Sequence, residues 1–554
     1  MATEVAPRNR DWQDLVADKR RECQKQIPHE WTLGDDLLAL PLRLLDFDLP
    51  RRSGILSELE LDITESYTAA QLLVKLASGQ VSSLAVTTAF CKRAAIAQQA
   101  TSCLTETFFL QALDRARFLD EYLAREGRPI GPLHGLPVSL KDSFCVEGVQ
   151  STVGYVSFLN KAPATTNSAL VTMLLQMGAV LYVKTNVPQT MMTGDSENNI
   201  FGRTLNPHNT NLTAGGSSGG EGALVAFRGS ILGVGTDIAG SIRIPALCCG
   251  VYGFKPTADR VPFGGQVSIA LEGLPGLKPC AGPLAHSIAD LQLFMKCVVG
   301  EGNAWEYDHT AVAAPWNSSP RAISVRNGGL TIGVLAEDKH FPLHPPVKRA
   351  LEEAVKALNR AGHRIVRIDN QDKDNMSVAY ASRIAFQYFT YGPHEDYIGA
   401  SGEPLVNSVA KRASPMFSGP WPVEQEQEPL KKIHNLHKAH QQVSEVWRQT
   451  WVEQKLDVVL APGAQNTAVA YDTSGWPPYT VLWNLLDYPA CIIPFGKASK
   501  DLDPGNMETG DAVQADYHSG EVDGAPCAVQ VIAPRFQDEK CLWAADIIDQ
   551  VLRG

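Results

Sequence analysis

The sequence predicts an α/β fold: a large, mixed, mostly parallel twisted sheet covered by helices on both faces, preceded by an N-terminal helical arm. Three observations carry this expectation. From Leu133 onward the chain becomes a series of short apolar runs punctuated by glycine. Helical patterns alternate with those runs, as 168–177 does between Leu136-Pro-Val-Ser-Leu and Ala179-Val-Leu-Tyr-Val-Lys, which argues for a sheet buried on both faces. Finally, 554 residues with 44% hydrophobic and 20% charged content are enough to bury a large core and are too apolar for a disordered chain.

The arm is read over residues 1–60. Trp12, Leu15, Val16 and Cys23 fall near one helical face before Pro28 breaks the run. This stripe is narrow, so it suits packing better than membrane anchoring. Helices are expected over 69–78, closed by Gly79, and from Ser82 or Ser83 to about Gln98. Ser230-Ile-Leu-Gly-Val-Gly reads as a buried strand, and 300–327 as an irregular connection. Beyond it come strands at 330–335, 363–368, 457–461, 490–494 and 528–532, with a helix over 346–361. Residues 497–523 are polar and acidic and read as a loop. No internal repeat shows. The C-terminal half, 330–554, is therefore expected to extend the same sheet, making 61–554 one domain whose chemical motifs lie within 131–257.

Lys+Arg number 49 against 60 Asp+Glu, a net charge of −11. That balance speaks against nucleic acid or an anionic membrane as partner, since both want a basic face. No apolar stretch has the length of a spanning helix. The first residues lack the apolar core of a secretion signal. Eleven cysteines without CxxC or Cys/His spacing read as reduced thiols of a cytoplasmic protein, and they hold no metal site.

Chemistry concentrates in three pieces: His134-Gly-Leu-Pro-Val-Ser-Leu-Lys-Asp, Ala214-Gly-Gly-Ser-Ser-Gly-Gly-Glu-Gly-Ala and Gly233-Val-Gly-Thr-Asp-Ile-Ala-Gly-Ser-Ile-Arg-Ile-Pro-Ala. Ser217 and Ser218 precede a helical segment, 221–228, whose free N–H groups favour developing negative charge. Ser241 follows a strand and a glycine-containing turn able to converge several N–H groups on one oxygen, so it is a candidate nucleophile. Lys141 ends an apolar strand, where desolvation would turn it into an amine base; a simple pair with Asp142 is the competing reading. Gly216-Ser-Ser-Gly-Gly also fits the G-x-S-x-G elbow of α/β-hydrolase esterases, with Ser218 as nucleophile and His434, His437, His440 or His518 completing a triad. The stretch before Ser218 is not the apolar strand that an elbow needs, which ranks this reading second. Asp237 and Arg243 are read as a brace for the Ser241 loop. Cys248 and Cys249 follow Pro245 in an expected helix and read as buried structural thiols.

The three pieces, in this order, resemble the amidase signature family of Ser–Ser–Lys hydrolases. The likeness runs from about Gln13 to the C-terminus and includes Lys184-Thr-Asn-Val-Pro-Gln and Gly524-Ala-Pro-Cys-Ala-Val-Gln-Val. Phe90-Cys-Lys-Arg-Ala-Ala-Ile-Ala-Gln-Gln and Ser53-Gly-Ile-Leu-Ser-Glu look most like fungal acetamidases. The resemblance implies an amidase without metal or cofactor that converts a small-molecule amide to its acid and ammonia or an amine. By position it implies Ser241 as nucleophile, Ser217 as bridging serine after a cis Gly216–Ser217 bond, and Lys141 as base. The N–H groups of Ile238, Ala239, Gly240 and Ser241 would form the oxyanion hole, and Thr190, Met191, Met192 and Thr193 would line the acyl pocket. Ala239 departs from the glycine of many members and matters only if its φ is positive. A glutamine-hydrolysing subunit of a tRNA-dependent amidotransferase shares the triad and is the remaining alternative. The oligomeric state stays open, a homodimer included.

Overall fold

Eleven segments pair into one sheet among the described residues: β1 (Leu104–Thr107), β2 (Pro137–Lys141), β3 (Val180–Thr185), β4 (Leu232–Asp237), β5 (Tyr252–Lys255), β6 (Cys280–Ala285), β7 (Thr331–Leu335), β8 (Arg364–Ile368), β9 (Val458–Pro462), β10 (Ala490–Lys497) and β11 (Pro526–Ile532). The computed structural model describes residues 11–37, 40–269, 273, 276–317, 329–368, 377–391, 395–413, 421–424, 428–511 and 513–554. Strand order is β1-β3-β2-β4-β6-β5-β10-β11-β9-β7-β8. In β2, β3, β5, β6, β9 and β11 every residue is buried. Successive side chains point to opposite faces, so unbroken burial means that both faces are covered.

The sheet is mixed, as expected, and its parallel pairing sits in two blocks. In one, β2 lies between β3 and β4; in the other, β7 lies between β8 and β9. Antiparallel pairs join the blocks through β6, β5, β10 and β11, and β1 closes one edge antiparallel to β3. The two halves of the chain meet where β5 pairs with β10, Phe254 opposite Cys491.

Most expected elements appear within a few residues. Helix Ala69–Ala77 starts on a capping box between Thr68 and Gln71, and helix Ser83–Thr101 starts on Ser82, whose side chain accepts from the Ala85 N–H. The second helix runs past Gln98 because Ala94 to Ala97 are fully buried and the chain turns only at Ser102, in the left-handed region. The helix expected over 346–361 is Pro345–Arg360. Within 497–523, Asn506–Met507 pairs with Tyr517–His518, and the buried Tyr517 hydroxyl donates to the Asp503 carbonyl at 2.6 Å. Residues 318–327 of the expected connection lie outside the described residues.

The arm begins with helix Trp12–Gln26, which packs Val16 against Val156 and Ile200. Lys19, buried in this face, pairs with Glu106 of β1 at 2.7 Å, and Arg20 donates to the Ile200 carbonyl at 2.6 Å. Burial pushes the Glu106 carboxyl up to about 7 against the pull of Lys19. No described helix is long and apolar enough to cross a membrane.

Candidate active site

β2 and β4 are parallel neighbours, so Lys141 and Asp237 come to the same edge of the sheet at their carboxyl ends. In an open α/β sheet this is the edge at which ligands gather. Lys141 is 1% exposed, and its Nζ donates to Ser217 Oγ at 2.7 Å and to Thr236 Oγ1 at 2.8 Å. Asp142, next in sequence, turns elsewhere. It accepts from Thr105 Oγ1 (2.8 Å) and from the N–H groups of Thr152 (3.0 Å) and Val153 (2.7 Å), and it faces Lys184 Nζ at 3.3 Å. The simple Lys141–Asp142 pair is therefore not formed. Burial lowers Lys141 to about 7, while the charges of Asp237 and Glu221 pull the other way.

Ser217 follows a cis Gly216–Ser217 bond in a turn that packs on the chain at Thr193. A Cβ on Gly216 would lie 2.2 Å from the Thr193 carbonyl oxygen, so only glycine fits. Helix Gly219–Ala226 begins directly after this turn, and the Ser218 N–H donates to the Ser241 carbonyl at 3.2 Å, tying the two serine-bearing loops together. No strand precedes Ser218, whose hydroxyl sits 3.4 Å from both the N–H and the carbonyl of Thr236. His440 Nε2 is 2.6 Å from the Leu485 carbonyl and His437 Nδ1 is 3.2 Å from the Tyr388 hydroxyl. None of the four late histidines lines the cavity beside Ser241.

Asp237 organises the loop after β4. Its carboxylate accepts from Gly240 N–H (2.8 Å), Ile242 N–H (3.1 Å) and Asn484 Nδ2 (2.9 Å). Arg243 binds it through two nitrogens, Nε at 3.1 Å and Nη2 at 3.0 Å, and both residues are fully buried. The guanidinium beside it holds the Asp237 carboxyl well below the usual range against the effect of burial. Arg243 also donates to the Thr480 carbonyl (2.8 Å) and to Asn484 Oδ1 (2.6 Å). Among the described residues, no protein acceptor takes the N–H groups of Ile238, Ala239 or Ser241; that of Gly240 is held by Asp237. Ala239 does not have positive φ, whereas Gly240 has φ +131° and lies against Thr480.

Ser241, 9% exposed, opens onto a small cavity of about 40 Å³. Met191, Met192 and Thr193 line it. Thr190 does not: its backbone has φ +76° and its hydroxyl accepts from the Met192 N–H at 3.4 Å. Cys248 and Cys249 are buried behind this loop in and after helix Arg243–Cys248, away from the cavity wall.

Several site residues escaped the sequence reading. Thr236 stands in a quoted motif but gave no sign of being Lys141's second partner. Glu221, next to the helix start, is a buried clip across two strands: Ser139 Oγ donates to it at 2.6 Å and Thr185 Oγ1 at 2.9 Å. Gly233 leaves room for it, since a Cβ there would lie 2.2 Å from Glu221 Oε2, and burial raises the carboxyl to about 8. Asp195, Phe386 and Ser408 complete the cavity wall without any motif to mark them. Burial pushes the Asp195 carboxyl up to about 6.

Against known proteins, the family model described as Amidase matches residues 85–542. An amidase of Gibberella moniliformis is 42% identical over 550 residues, covering 98% of this chain and 99% of its own. An acetamidase of Emericella nidulans is 41% identical over 98% of both chains. Among solved structures, a fatty acid amide hydrolase superposes with TM-score 0.87 at 31% identity, covering 98% of this chain and 95% of its own. A bacterial aryl acylamidase of the amidase signature family, 22% identical with TM-score 0.67 over 88% of this chain and 96% of its own, shares the fold. Full-length likeness of this order, on top of a sheet edge that gathers the three signature pieces, makes the chain a member of the amidase family and an amide-hydrolysing enzyme.

Proposed function

We propose that the enzyme cleaves a carboxylic acid amide through an acyl-enzyme on Ser241, with Ser217 and Lys141 as the proton relay. The observation that carries this is the 2.7 Å hydrogen bond from a buried, desolvated Lys141 to Ser217, whose neighbour Ser218 donates its N–H to the carbonyl of the cavity-lining Ser241 at 3.2 Å. Neutral Lys141 takes the Ser217 proton while Ser217 takes that of Ser241, whose oxygen attacks the amide carbon. The oxyanion is met by the N–H groups of Ile238, Ala239 and Ser241. The Asp237 carboxylate fixes the Gly240 N–H and so sets the loop rather than the oxyanion. On collapse the carbon–nitrogen bond breaks, and the proton on Lys141 returns through Ser217 to the leaving nitrogen. Water then attacks the ester, gives its proton to the same relay, and releases the acid and free Ser241. The acetamidase among its relatives supports small carboxamides among the substrates.

A fluorophosphonate label mapped to its peptide tests this reading. Modification of Ser241, with turnover and labelling both lost in Ser241→Ala, is the expected result. Ordinary activity in Ser241→Ala would sink it, and loss confined to Ser218→Ala would move the nucleophile.

A further inference from the structure

The turn that carries Met191 and Met192 onto the cavity wall is strained. Thr190 has φ +76° and Met191 φ +54°, two consecutive side-chain-bearing residues in the left-handed region that glycine prefers. Thr190 is β-branched, and for such a residue this backbone is a genuine outlier. Strain of this kind persists only where the surroundings hold it.

The hold comes from a distant part of the chain. Gln189, fully buried at the start of the turn, donates from Nε2 to Glu403 Oε2 at 2.9 Å and to the Pro404 carbonyl at 3.1 Å. Its Oε1 accepts the Val406 N–H at 3.0 Å, so one side-chain amide makes three bonds to residues 403–406. Glu403 is itself 5% exposed and pinned from two more sides. Its Oε1 accepts the Val156 N–H at 2.7 Å, and its Oε2 accepts Asn199 Nδ2 at 2.8 Å. Two residues beyond Val406 the same segment supplies Ser408 to the cavity wall. Met191 faces both ways: it lines the cavity and packs on the cluster of Val153, Tyr155 and Phe158. Tyr397 closes that cluster, its ring centroid 5.3 Å from Tyr155 and 5.0 Å from Phe158. The cavity so enclosed, about 40 Å³, is well under the roughly 150 Å³ that admits a benzene ring.

We infer that the Gln189–Glu403 clamp determines acyl specificity: by holding the 189–191 turn against the cavity, it limits the acyl group to a few carbons. The inference rests on Ser241 being the nucleophile that this cavity serves. Gln189 and Glu403 touch no substrate and act by positioning Met191 and Met192. Without the clamp the turn relaxes toward ordinary backbone, the methionines leave the wall, and a longer acyl chain enters.

The test is a selectivity ratio, kcat/KM for acetamide over kcat/KM for hexanamide. Loss of fold or of catalytic geometry lowers both values and leaves the ratio alone. In the wild-type enzyme the ratio should be at least about a hundredfold, since single methylenes already discriminate strongly in an apolar pocket. In Gln189→Ala and in Glu403→Ala it should fall by about tenfold or more, with the fluorophosphonate still labelling Ser241. Should both variants fail to fold, Met191→Ala shortens the wall directly at a half-buried position and should lower the ratio in the same way. A wild-type ratio near one, or a ratio unmoved in the folded clamp variants or in Met191→Ala, overturns the clamp and leaves the Ser241 reading standing. A wild-type enzyme in which Ser241 takes no label overturns the catalytic reading and the clamp with it.

Discussion

Lys184, not Lys141, is the lysine that pairs with Asp142: its Nζ lies 3.3 Å from Asp142 Oδ1, with both side chains out of contact with solvent. Lys141, one residue before that carboxylate, finds only the hydroxyls of Ser217 and Thr236. Alternation along β2 sends neighbouring side chains to opposite faces, and so separates a structural ion pair from an amine with no anion in hydrogen-bond reach.

The pH dependence follows from that separation. With Lys141 near 7, kcat/KM should fall on the acid side of about pH 7 as the amine takes up a proton. In Lys141→Ala that limb should vanish and the residual activity should climb toward high pH. Stability runs the same way. The folded value lies below the unfolded one, so the unfolded state binds more protons between the two, and this group's contribution rises with pH from about 7 to about 10.4. Denaturant titrations of wild type and Lys141→Met at pH 6 and pH 10 should show the wild type gaining stability relative to the variant at pH 10.

Breaking the Asp237–Arg243 pair should cost both stability and turnover. Asp237→Ala leaves a buried guanidinium unpaired, worth about 3–5 kcal/mol, and frees the loop that carries Ser241. A drop in the unfolding midpoint together with a kcat loss of about 10²-fold or more is expected. Arg243→Lys should recover little, because an ammonium cannot repeat the two-nitrogen contact.

Adjacent positions in the loop before Ser241 should respond in opposite ways. A Cβ on Gly240 would stand 2.4 Å from Thr480 Oγ1 in a backbone at φ +131°, so Gly240→Ala should remove most activity. Ala239→Gly changes a residue in ordinary backbone and should leave kcat/KM within about threefold. Parallel kinetics on the two variants check this.

Thiol reagents should spare the enzyme. Nine of the eleven cysteines are buried, with Cys23 and Cys145 partly exposed, and burial raises thiols such as Cys103 and Cys280 to about 12. Treatment of native protein with iodoacetamide near neutral pH should leave turnover within about twofold, since the thiolate is the reacting form. Burial raises Cys23 to about 12 as well, so mass spectrometry should find what label there is first on the partly exposed Cys145.

The strands that were legible in the sequence, such as β3 and β11, are those rich in Val, Leu, Ile and Tyr. β1, β5 and β6 were not legible. They read Leu-Thr-Glu-Thr, Tyr-Gly-Phe-Lys and Cys-Ala-Gly-Pro-Leu-Ala, and their place is set by partners distant in the chain. The site divides in the same manner. Lys141, Ser217, Ser241, Asp237 and Arg243 stand in compact motifs because glycine must accompany them. Phe386 and Ser408 reach the cavity from a far part of the chain, where no local pattern announces them. Thr190 misleads because spacing along the chain does not say which of four neighbouring side chains turns to the cavity, and Met191, Met192 and Thr193 line it while Thr190 does not.

The bonds from Arg243 to Thr480 and Asn484 have a consequence for biosynthesis. A partner that anchors the loop carrying Ser241 stands 241 residues further along the chain, and β10, which joins the two halves, lies later still. At 5–20 residues per second, the ribosome needs about 10–50 s after Arg243 to deliver Asn484. Throughout that interval the loop that carries Ser241 has only its local bonds to Asp237, without the anchors that Thr480 and Asn484 supply to Arg243. The last anchors of that loop therefore arrive late, with the closing of the sheet, and a chain cut short before residue 478 lacks them.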